Sequence, residues 1–171
     1  MESWNGVIWY LLGVWTAVRF FPKDVGVMGV LLLSWCDTAA STIGRLYGRY
    51  TPRIRKGKSL AGTAAAWAVG VVTAVFFWGW LVPSIGPFPD DPENAFMFTG
   101  SLSLPSTVKG LLGWEETQGT ISDGIALGLM SIWTGLVAAA SEALDLFGWD
   151  DNLTIPVLSS LGLWGFLKVF R

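Results

Sequence analysis

Long apolar segments are the feature that most constrains the fold of this 171-residue chain. A helix of about eighteen or more apolar residues can cross the roughly 30 Å hydrocarbon core of a bilayer. The segments that meet this condition are Trp4–Phe21, Val25–Tyr47, Leu60–Val82, Ile121–Phe147 and a final stretch, Leu153–Phe170. We therefore predict an all-α, polytopic membrane protein with about four to five transmembrane helices, and we expect residues 1–171 to form a single membrane domain.

The composition favours the same class. Apolar residues make up 52% of the chain and charged residues only 14%, which is more apolar side chain than one soluble domain can enclose. The 11 tryptophans and 10 phenylalanines are many for a soluble core, and tryptophan is favoured where a membrane helix meets the lipid headgroups. Lipid is therefore the predicted solvent for most of the surface.

The residue types that are missing limit the chemistry. The chain contains no histidine, which excludes Ser-His and Cys-His nucleophile pairs and any His-ligated metal. Its single cysteine, Cys36, cannot form an intrachain disulfide and is expected to pack as a small apolar residue. Carboxylates remain as the candidate general bases.

Charge is segregated along the chain. No acidic residue lies between Asp37 and Asp90, whereas six of the 11 basic residues fall in one short segment: Arg45, Arg49, Arg53, Arg55, Lys56 and Lys58. The positive-inside rule places this basic loop in the cytosol. The next helix then leads out and the following one returns, so the acidic loop at Gly148–Asn152 is predicted on the same face. The segment Leu102–Trp114 is too short to span and is expected to form at most an interfacial helix.

Asp37 is the first candidate functional residue. It lies in the cytosolic half of the second apolar segment, where a carboxylate is costly unless it is paired or hydrated. Ser41, Gly44 or Arg45, and Gly48 follow at helical spacing and share its face. This face is interpreted either as a ligand site or as a packing face with a structural ion pair.

The basic loop ends in a second candidate, Lys58–Thr63, which opens the third apolar segment. A helix start with free amides beside Lys58, Ser59 and Gly62 can hold an anion. The spacing does not match a Walker motif. A simpler interpretation is that the basic residues only set membrane orientation or contact anionic lipid.

The third candidate is the acidic region at the end of the fourth segment. Glu142 and Asp145 precede the run Asp150, Asp151 and Asn152, and the oxygens of Asp151 and Asn152 suit a hard divalent cation. The same run could equally form a turn and cap the last helix. Both interpretations stay open at this point.

Taken together, these motifs resemble one family. The matching blocks are Phe21–Val27, Asp37–Arg45, Lys58–Thr63, Glu142–Leu144 and Asp151–Pro156. Their amino-acid sequences and their order resemble the motifs of the family that includes CTP-dependent diacylglycerol kinase, dolichol kinase, phytol kinase and phosphatidate cytidylyltransferase. Within that family they are most similar to the fungal diacylglycerol kinases. The resemblance covers nearly the whole chain.

The resemblance implies transfer of the CTP γ-phosphate to diacylglycerol, which gives phosphatidate and CDP. The implied catalytic residues are Asp37, Glu142 and Asp151, and Asp37 and Asp151 are the expected ligands of a divalent cation, Mg²⁺ or Ca²⁺. The residues expected to bind CTP are Ser41, Arg45, Lys58, Ser59, Gly62 and Asn152. Phosphoryl transfer depends mainly on positioning and charge neutralisation, so it does not require histidine.

The resemblance also implies a multi-pass protein of the endoplasmic reticulum or nuclear membrane with a cytosolic active face. The expected partners are diacylglycerol, CTP and membrane lipid, with no nucleic acid, and the oligomeric state stays open. Family members usually carry helices upstream of the segment that begins at Trp4, so we expect those helices to be missing here. The alternatives are a dolichol or polyprenol kinase, a phosphatidate cytidylyltransferase, or a non-enzymatic transporter or scaffold.

Overall fold

The fold is described from a computed structural model. It covers residues 2–55, 57–86, 88–92, 95–115, 118–144 and 150–171, with side chains from residue 6 onward. The described elements are helices with two short hairpins. The helices are α1 (Glu2–Phe20), α2 (Lys23–Tyr47), α3 (Leu60–Phe76), α4 (Val82–Ile85), α5 (Ser106–Leu112), α6 (Asp123–Ala143) and α7 (Asp151–Phe170). The strands are β1 (Arg53–Arg55), β2 (Lys58–Ser59), β3 (Ser101–Ser103) and β4 (Thr120–Ser122).

Four helical segments are long and apolar enough to cross a membrane. They are Lys23–Tyr50, Leu60–Ile85, Asp123–Ala143 and Asp151–Phe170. The prediction of an all-α polytopic membrane protein is therefore confirmed. The first predicted span also forms a helix, but its described apolar part, Gly6–Phe20, is shorter than the other four.

Two of the differences between the predicted and the observed helix boundaries have a structural cause. The segment that was expected to end at Val82 continues through a π-helical turn, Phe77–Leu81, into α4 and ends at Ile85. The segment that was expected to begin at Ile121 begins at Asp123, because Ile121 pairs with Leu102 in the β3–β4 hairpin. Its predicted end at Phe147, like Asp145, lies outside the described residues.

Helix α3 packs against α2 and against α6. Glycines allow the close approach to α6: a Cβ on Gly70 would lie 3.0 Å from the Gly135 Cα, and a Cβ on Gly135 would lie 2.7 Å from the Trp67 carbonyl oxygen. In a bilayer the hydrophobic effect does not drive helices together, because lipid tails are as apolar as the side chains. Helices therefore associate through close packing of small residues such as these. The α3–α6 seam therefore depends on these two positions.

Helix α7 packs against α1, α2 and α6 and contains a buried proline, Pro156. Proline cannot donate to the carbonyl four residues earlier, which belongs to Asn152. That carbonyl faces α1, where a Cβ on Gly13 would meet it at 2.5 Å. The glycine thus lets α1 lie directly over the irregular turn of α7.

Asp24 organises the end of the molecule where α1 turns into α2. Its side chain is 1% exposed and accepts hydrogen bonds from the Trp78 indole at 3.3 Å and from the Phe98 amide at 2.9 Å. Trp78 belongs to the π-helical turn, which aims the indole at this carboxylate. Nearby, Lys23 forms an ion pair with Asp91. These contacts tie α2, the π-helical turn and the following loop together.

Candidate functional site

The site lies at the opposite end of α2, where Lys58 contacts two carboxylates. Its ammonium bonds to Glu142 at the end of α6 and lies 3.0 Å from Asp151 Oδ2 at the start of α7. The side chains of Lys58 and Glu142 are 19% and 4% exposed, so this charge pair is largely removed from solvent. The prediction that the basic loop and the acidic region converge on one end of the helices is therefore confirmed for these residues.

The β1–β2 hairpin positions a second cation beside the first. Arg55 is paired with Lys58 in the hairpin register, and its guanidinium lies 3.3 Å from Asp151 Oδ1. Asp151 thus receives a cation at each of its oxygens. Arg55 was counted in the basic loop but was not predicted as a site residue, because its partner depends on the hairpin register. Lys56 lies outside the described residues.

Asp37 joins the same cluster from α2. Its half-buried carboxylate interacts electrostatically with Lys58 and Asp151 and lies beside Glu142. The Glu142 Oε2 atom is buried and has no hydrogen-bond partner among the described residues. Two carboxylates, Asp37 and Glu142, are thus brought together with Lys58 as the nearby positive charge.

A pocket of about 210 Å³ opens beside this cluster. It is lined by residues from α2, from the β1–β2 hairpin, from the start of α3 and from the end of α6: Ala40, Ser41, Gly44, Arg45, Gly57, Lys58, Ser59, Gly62, Thr63 and Glu142. Five of the six predicted nucleotide-binding residues lie in this lining. The pocket is therefore polar and combines two cationic side chains with one carboxylate.

The start of α3 differs from the expected anion cradle. The Ser59 hydroxyl caps the helix by accepting from the Gly62 amide at 3.3 Å. The Leu60 amide bonds to the Pro52 carbonyl at 3.0 Å, and the Ala61 amide bonds to the Thr51 hydroxyl at 3.3 Å. The expectation of free amides is wrong for these three groups, because the loop before α3 folds back and supplies acceptors. Anion binding here falls mainly to side chains.

Thr63 was quoted in the sequence motif but was not predicted as a site residue. Its hydroxyl is buried, lines the pocket and has no partner among the described residues. It lies one turn after Ser59, at the spacing that places two side chains on one helix face. That spacing was the signal that could have identified it.

In the acidic run at the start of α7, one aspartate caps the helix and the next one forms ion pairs. Asp150 caps the helix by accepting from the Asn152 amide at 2.9 Å, so the capping interpretation is confirmed for Asp150. Asp151 instead points to Lys58 and Arg55. The sixth predicted nucleotide contact, Asn152, is absent from the pocket lining and faces α1 near Gly6, where a Cβ would lie 3.8 Å from its amide nitrogen.

The charge state of Lys58 follows from its neighbours. Burial opposes the charge of the ammonium, but hydrogen bonds and charge interactions with Glu142 and Asp151 outweigh burial and raise the pKa of Lys58. Lys58 is therefore a permanent cation at neutral pH. It can neutralise a carboxylate or a phosphate but cannot act as a base there.

The donor atoms of the cluster suit a hard cation, since Asp37, Glu142 and Asp151 offer carboxylate oxygens only. Within the described part of the chain, no three His, Cys, Asp or Glu side chains are grouped closely enough to hold a metal ion. Lys58 bonds to two of these three carboxylates. The residue types fit a divalent cation, and in this structure Lys58 supplies the positive charge beside them.

Comparison with known proteins finds similarity to proteins named CTP-dependent diacylglycerol kinase 1. The relative from Saccharomyces cerevisiae is 42% identical over 171 residues, which cover 100% of this chain and 51% of the relative. The relative from Eremothecium gossypii is 45% identical over 161 residues, or 94% of this chain and 44% of the relative. The relative from Schizosaccharomyces pombe is 39% identical over 163 residues, or 95% of this chain and 61% of the relative.

The chain spans about half the length of the curated relatives it matches. No protein-family model and no solved structure matches it. The similarity nevertheless includes nearly all of the chain, and with it the elements that form the pocket. The resemblance inferred from the sequence motifs is therefore confirmed.

Proposed function

We propose that this chain, a homologue of the CTP-dependent diacylglycerol kinases over about half of their length, carries the phosphate-transfer site of such an enzyme. The reaction moves the γ-phosphate of CTP to the hydroxyl of diacylglycerol and releases phosphatidate and CDP. The observation that carries the proposal is the polar pocket lined by Lys58 and Glu142, with Asp151 paired to Lys58 beside it, at the end of apolar helices.

The cationic side chains are suited to the triphosphate. Arg45 and Lys58 both line the pocket, and Ser41 and Thr63 add hydroxyl groups. Cations that surround a transferring phosphoryl group stabilise the charge of its transition state. We assign Arg45 and Lys58 to the phosphates, with Ser59 and Gly62 shaping the wall through the helix cap. Because of its position against α1, Asn152 is assigned to packing rather than to CTP.

A divalent cation fits the donor set. Asp37 and Asp151 would hold it, and the unpaired Oε2 of Glu142 offers a further oxygen. When bound, such an ion neutralises phosphate charge during transfer. Lys58 already neutralises part of this cluster, and a bound ion would share Asp151 with the Lys58 ammonium. A triphosphate provides further oxygens for both cations.

The carboxylates also supply the base. In the proposed step the lipid hydroxyl oxygen forms a bond to the γ-phosphorus, the bond from that phosphorus to the bridging oxygen breaks, and CDP leaves. The hydroxyl proton passes to one carboxylate of the cluster, for which Asp37 is our assignment. The lipid enters sideways from the bilayer, because the pocket lies at the end of spanning helices rather than above them.

We place this end of the molecule at the cytosolic face of the endoplasmic reticulum or nuclear membrane. The density of Arg and Lys between α2 and α3 supports the cytosolic side through the positive-inside rule. CTP is a highly charged, water-soluble nucleotide. A pocket that opens to the cytosol is therefore accessible to it. The organelle follows from the resemblance to the fungal enzymes.

The test is transfer of labelled phosphate by the purified chain in detergent micelles. γ-Labelled CTP and γ-labelled ATP are offered in parallel, with diacylglycerol, a polyprenol or phosphatidate as acceptor. The proposal predicts labelled phosphatidate from CTP and diacylglycerol, and loss of this product in Asp37→Ala. Labelled polyprenyl phosphate, or release of labelled pyrophosphate with phosphatidate as acceptor, would assign the site to a different reaction. Absence of every product from a folded chain would contradict the proposal.

A further inference from the structure

A surface beside the pocket combines exposed arginines with exposed apolar and aromatic side chains. It consists of Leu46, Tyr47, Arg49, Tyr50, Arg53 and Ile54, and we call it the arginine–tyrosine surface. Tyr50 is 69% exposed, Leu46 58% and Tyr47 54%. The Arg49 guanidinium lies 4.5 Å from the centre of the Tyr50 ring.

The cations of the basic loop divide into two groups. Arg55 and Lys58 pair with carboxylates of the site, and Arg45 lines the pocket. Arg49 and Arg53 are exposed and form no ion pair with any described residue. Sequence neighbours cannot neutralise them, because no acidic residue lies between positions 37 and 90. Their charge is therefore available to an external anion.

The position of the surface identifies that anion. The surface begins where the spanning segment Lys23–Tyr50 ends, so it lies at the level of the lipid headgroups. Tyrosine is enriched at that level, and arginine beside it reaches the phosphates while its apolar neighbours contact the acyl boundary. A nucleic acid would leave Leu46 and Ile54 without apolar partners. A lipid surface satisfies both the charges and the apolar side chains.

We propose that the arginine–tyrosine surface binds the headgroups of anionic glycerophospholipids in the leaflet next to the pocket. This function is separate from phosphate transfer and does not depend on it. Arg49 and Arg53 supply the charge, and Leu46, Tyr47, Tyr50 and Ile54 anchor the surface at the correct depth. One consequence is that the β1–β2 hairpin, which contributes Arg53 and Ile54 to the surface and also carries Arg55 and Lys58, is held against the headgroup layer.

The experiment measures lipid selectivity without using enzymatic activity. The purified chain is placed in phosphatidylcholine vesicles, and electron spin resonance reports the protein-bound fraction of spin-labelled phosphatidylserine and of spin-labelled phosphatidylcholine. We expect preference for phosphatidylserine by about fivefold or more, which is the factor that one basic residue near an anionic surface provides. In R49Q/R53Q we expect the preference to fall to near one.

The matched control is Arg19→Gln. Arg19 is also an exposed arginine near an aromatic ring, 5.9 Å from the centre of the Phe20 ring, but it lies near the other end of α2. Because it removes one charge at the other end of α2, this change is expected to lower the preference by less than the double variant does. An equal loss in Arg19→Gln and in the double variant, or no preference in the unmodified chain, would overturn the proposal.

If the double variant does not fold, two measurements on the unmodified chain still test whether these arginines bind lipid headgroups. Salt at about 1 M shortens the screening length to about 3 Å and should remove most of the preference. Inorganic phosphate should lower the preference no more than chloride at equal ionic strength. A preference that is independent of salt, or one that phosphate removes selectively, would contradict binding to lipid headgroups by these arginines.

Discussion

Lys58 and Glu142 are separated by 84 positions in the sequence, yet their side chains bond directly at one end of the helices. The contact joins the β1–β2 hairpin to the end of α6, and Asp151 extends it to the start of α7. Since Asp37 approaches from α2, four parts of the chain meet around one ammonium group. The site is therefore sensitive to how these helices pack.

The Lys58–Glu142 pair should contribute strongly to stability. Glu142→Gln removes one charge from a largely buried pair, and such a loss typically costs about 3 kcal/mol or more because the partner charge is left without compensation. We expect Glu142→Gln and Lys58→Met each to lower the free energy of unfolding, measured by denaturant titration in detergent. The double variant should lose less than the sum of the two single losses. Strictly additive losses would mean that the two side chains do not interact.

The contribution of Lys58 should depend on pH in the alkaline range. Its pKa is raised in the folded chain, because its bonds to Glu142 and Asp151 outweigh the effect of burial. A raised pKa gives stability that is fully present below the ordinary lysine value of about 10.4 and that is lost as pH rises through the folded value.

The difference in Tm between the unmodified chain and Lys58→Met tests this dependence. It should stay constant between about pH 7 and 9 and shrink near pH 11. A difference that already shrinks between pH 7 and 9 would mean that Lys58 loses its proton there. The same series with Lys168→Met, a lysine that lies over the Trp164 ring, gives the effect of removing a lysine outside the site.

The α3–α6 seam should not tolerate even a methyl group at Gly135. A Cβ at this position would lie 2.6 Å from Val71 Cγ2 and 2.7 Å from the Trp67 carbonyl oxygen. We expect Gly135→Ala to cost about 1–3 kcal/mol through overpacking. On the same helix, a Cβ at Gly128 would meet nothing within 4 Å, so Gly128→Ala should be neutral or stabilising by up to about 1 kcal/mol. Equal effects at both positions would contradict the described packing.

Asp24 should act on stability and not on the phosphate-transfer site. Asp24→Ala leaves the Trp78 indole and the Phe98 amide without their acceptor, and each buried unsatisfied donor costs about 1–3 kcal/mol. Asp24→Asn keeps one acceptor oxygen and should lose less. Because Asp24 lies at the other end of α2, the KM for CTP of the folded fraction should be unchanged in both variants. A raised KM with normal stability would place Asp24 in the site instead.

Much of the architecture could be predicted because the length of an apolar segment can be read directly from the local sequence. The spans around α2, α3, α6 and α7 follow from the length of apolar runs, and counting crossings brings Lys58 and Glu142 to the same end. The direct bond between these two side chains was not predicted, because it depends on side-chain geometry. The start of α6 was misplaced because Ile121 pairs with Leu102 across a hairpin, which is a contact that apolar content does not reveal.

The details that were missed depend on contacts between distant segments. The amides at the start of α3 are used by Thr51, Pro52 and Ser59, because the loop after α2 folds back. The Arg55–Asp151 contact requires the hairpin register, and the role of Asp24 requires the π-helical turn that aims Trp78. None of these arrangements has a periodic signal in the sequence.

The rate of labelled phosphatidate formation from γ-labelled CTP and diacylglycerol in Lys58→Met tests the central claim most directly. Loss of a charge that stabilises a transferring phosphoryl group typically lowers the rate by about 100-fold or more, and we predict a loss of that size. Lys168→Met, assayed beside it, should keep the rate of the unmodified chain. A Lys58→Met variant that is folded and transfers phosphate at the unmodified rate would contradict the assignment of this cluster as the phosphate-transfer site.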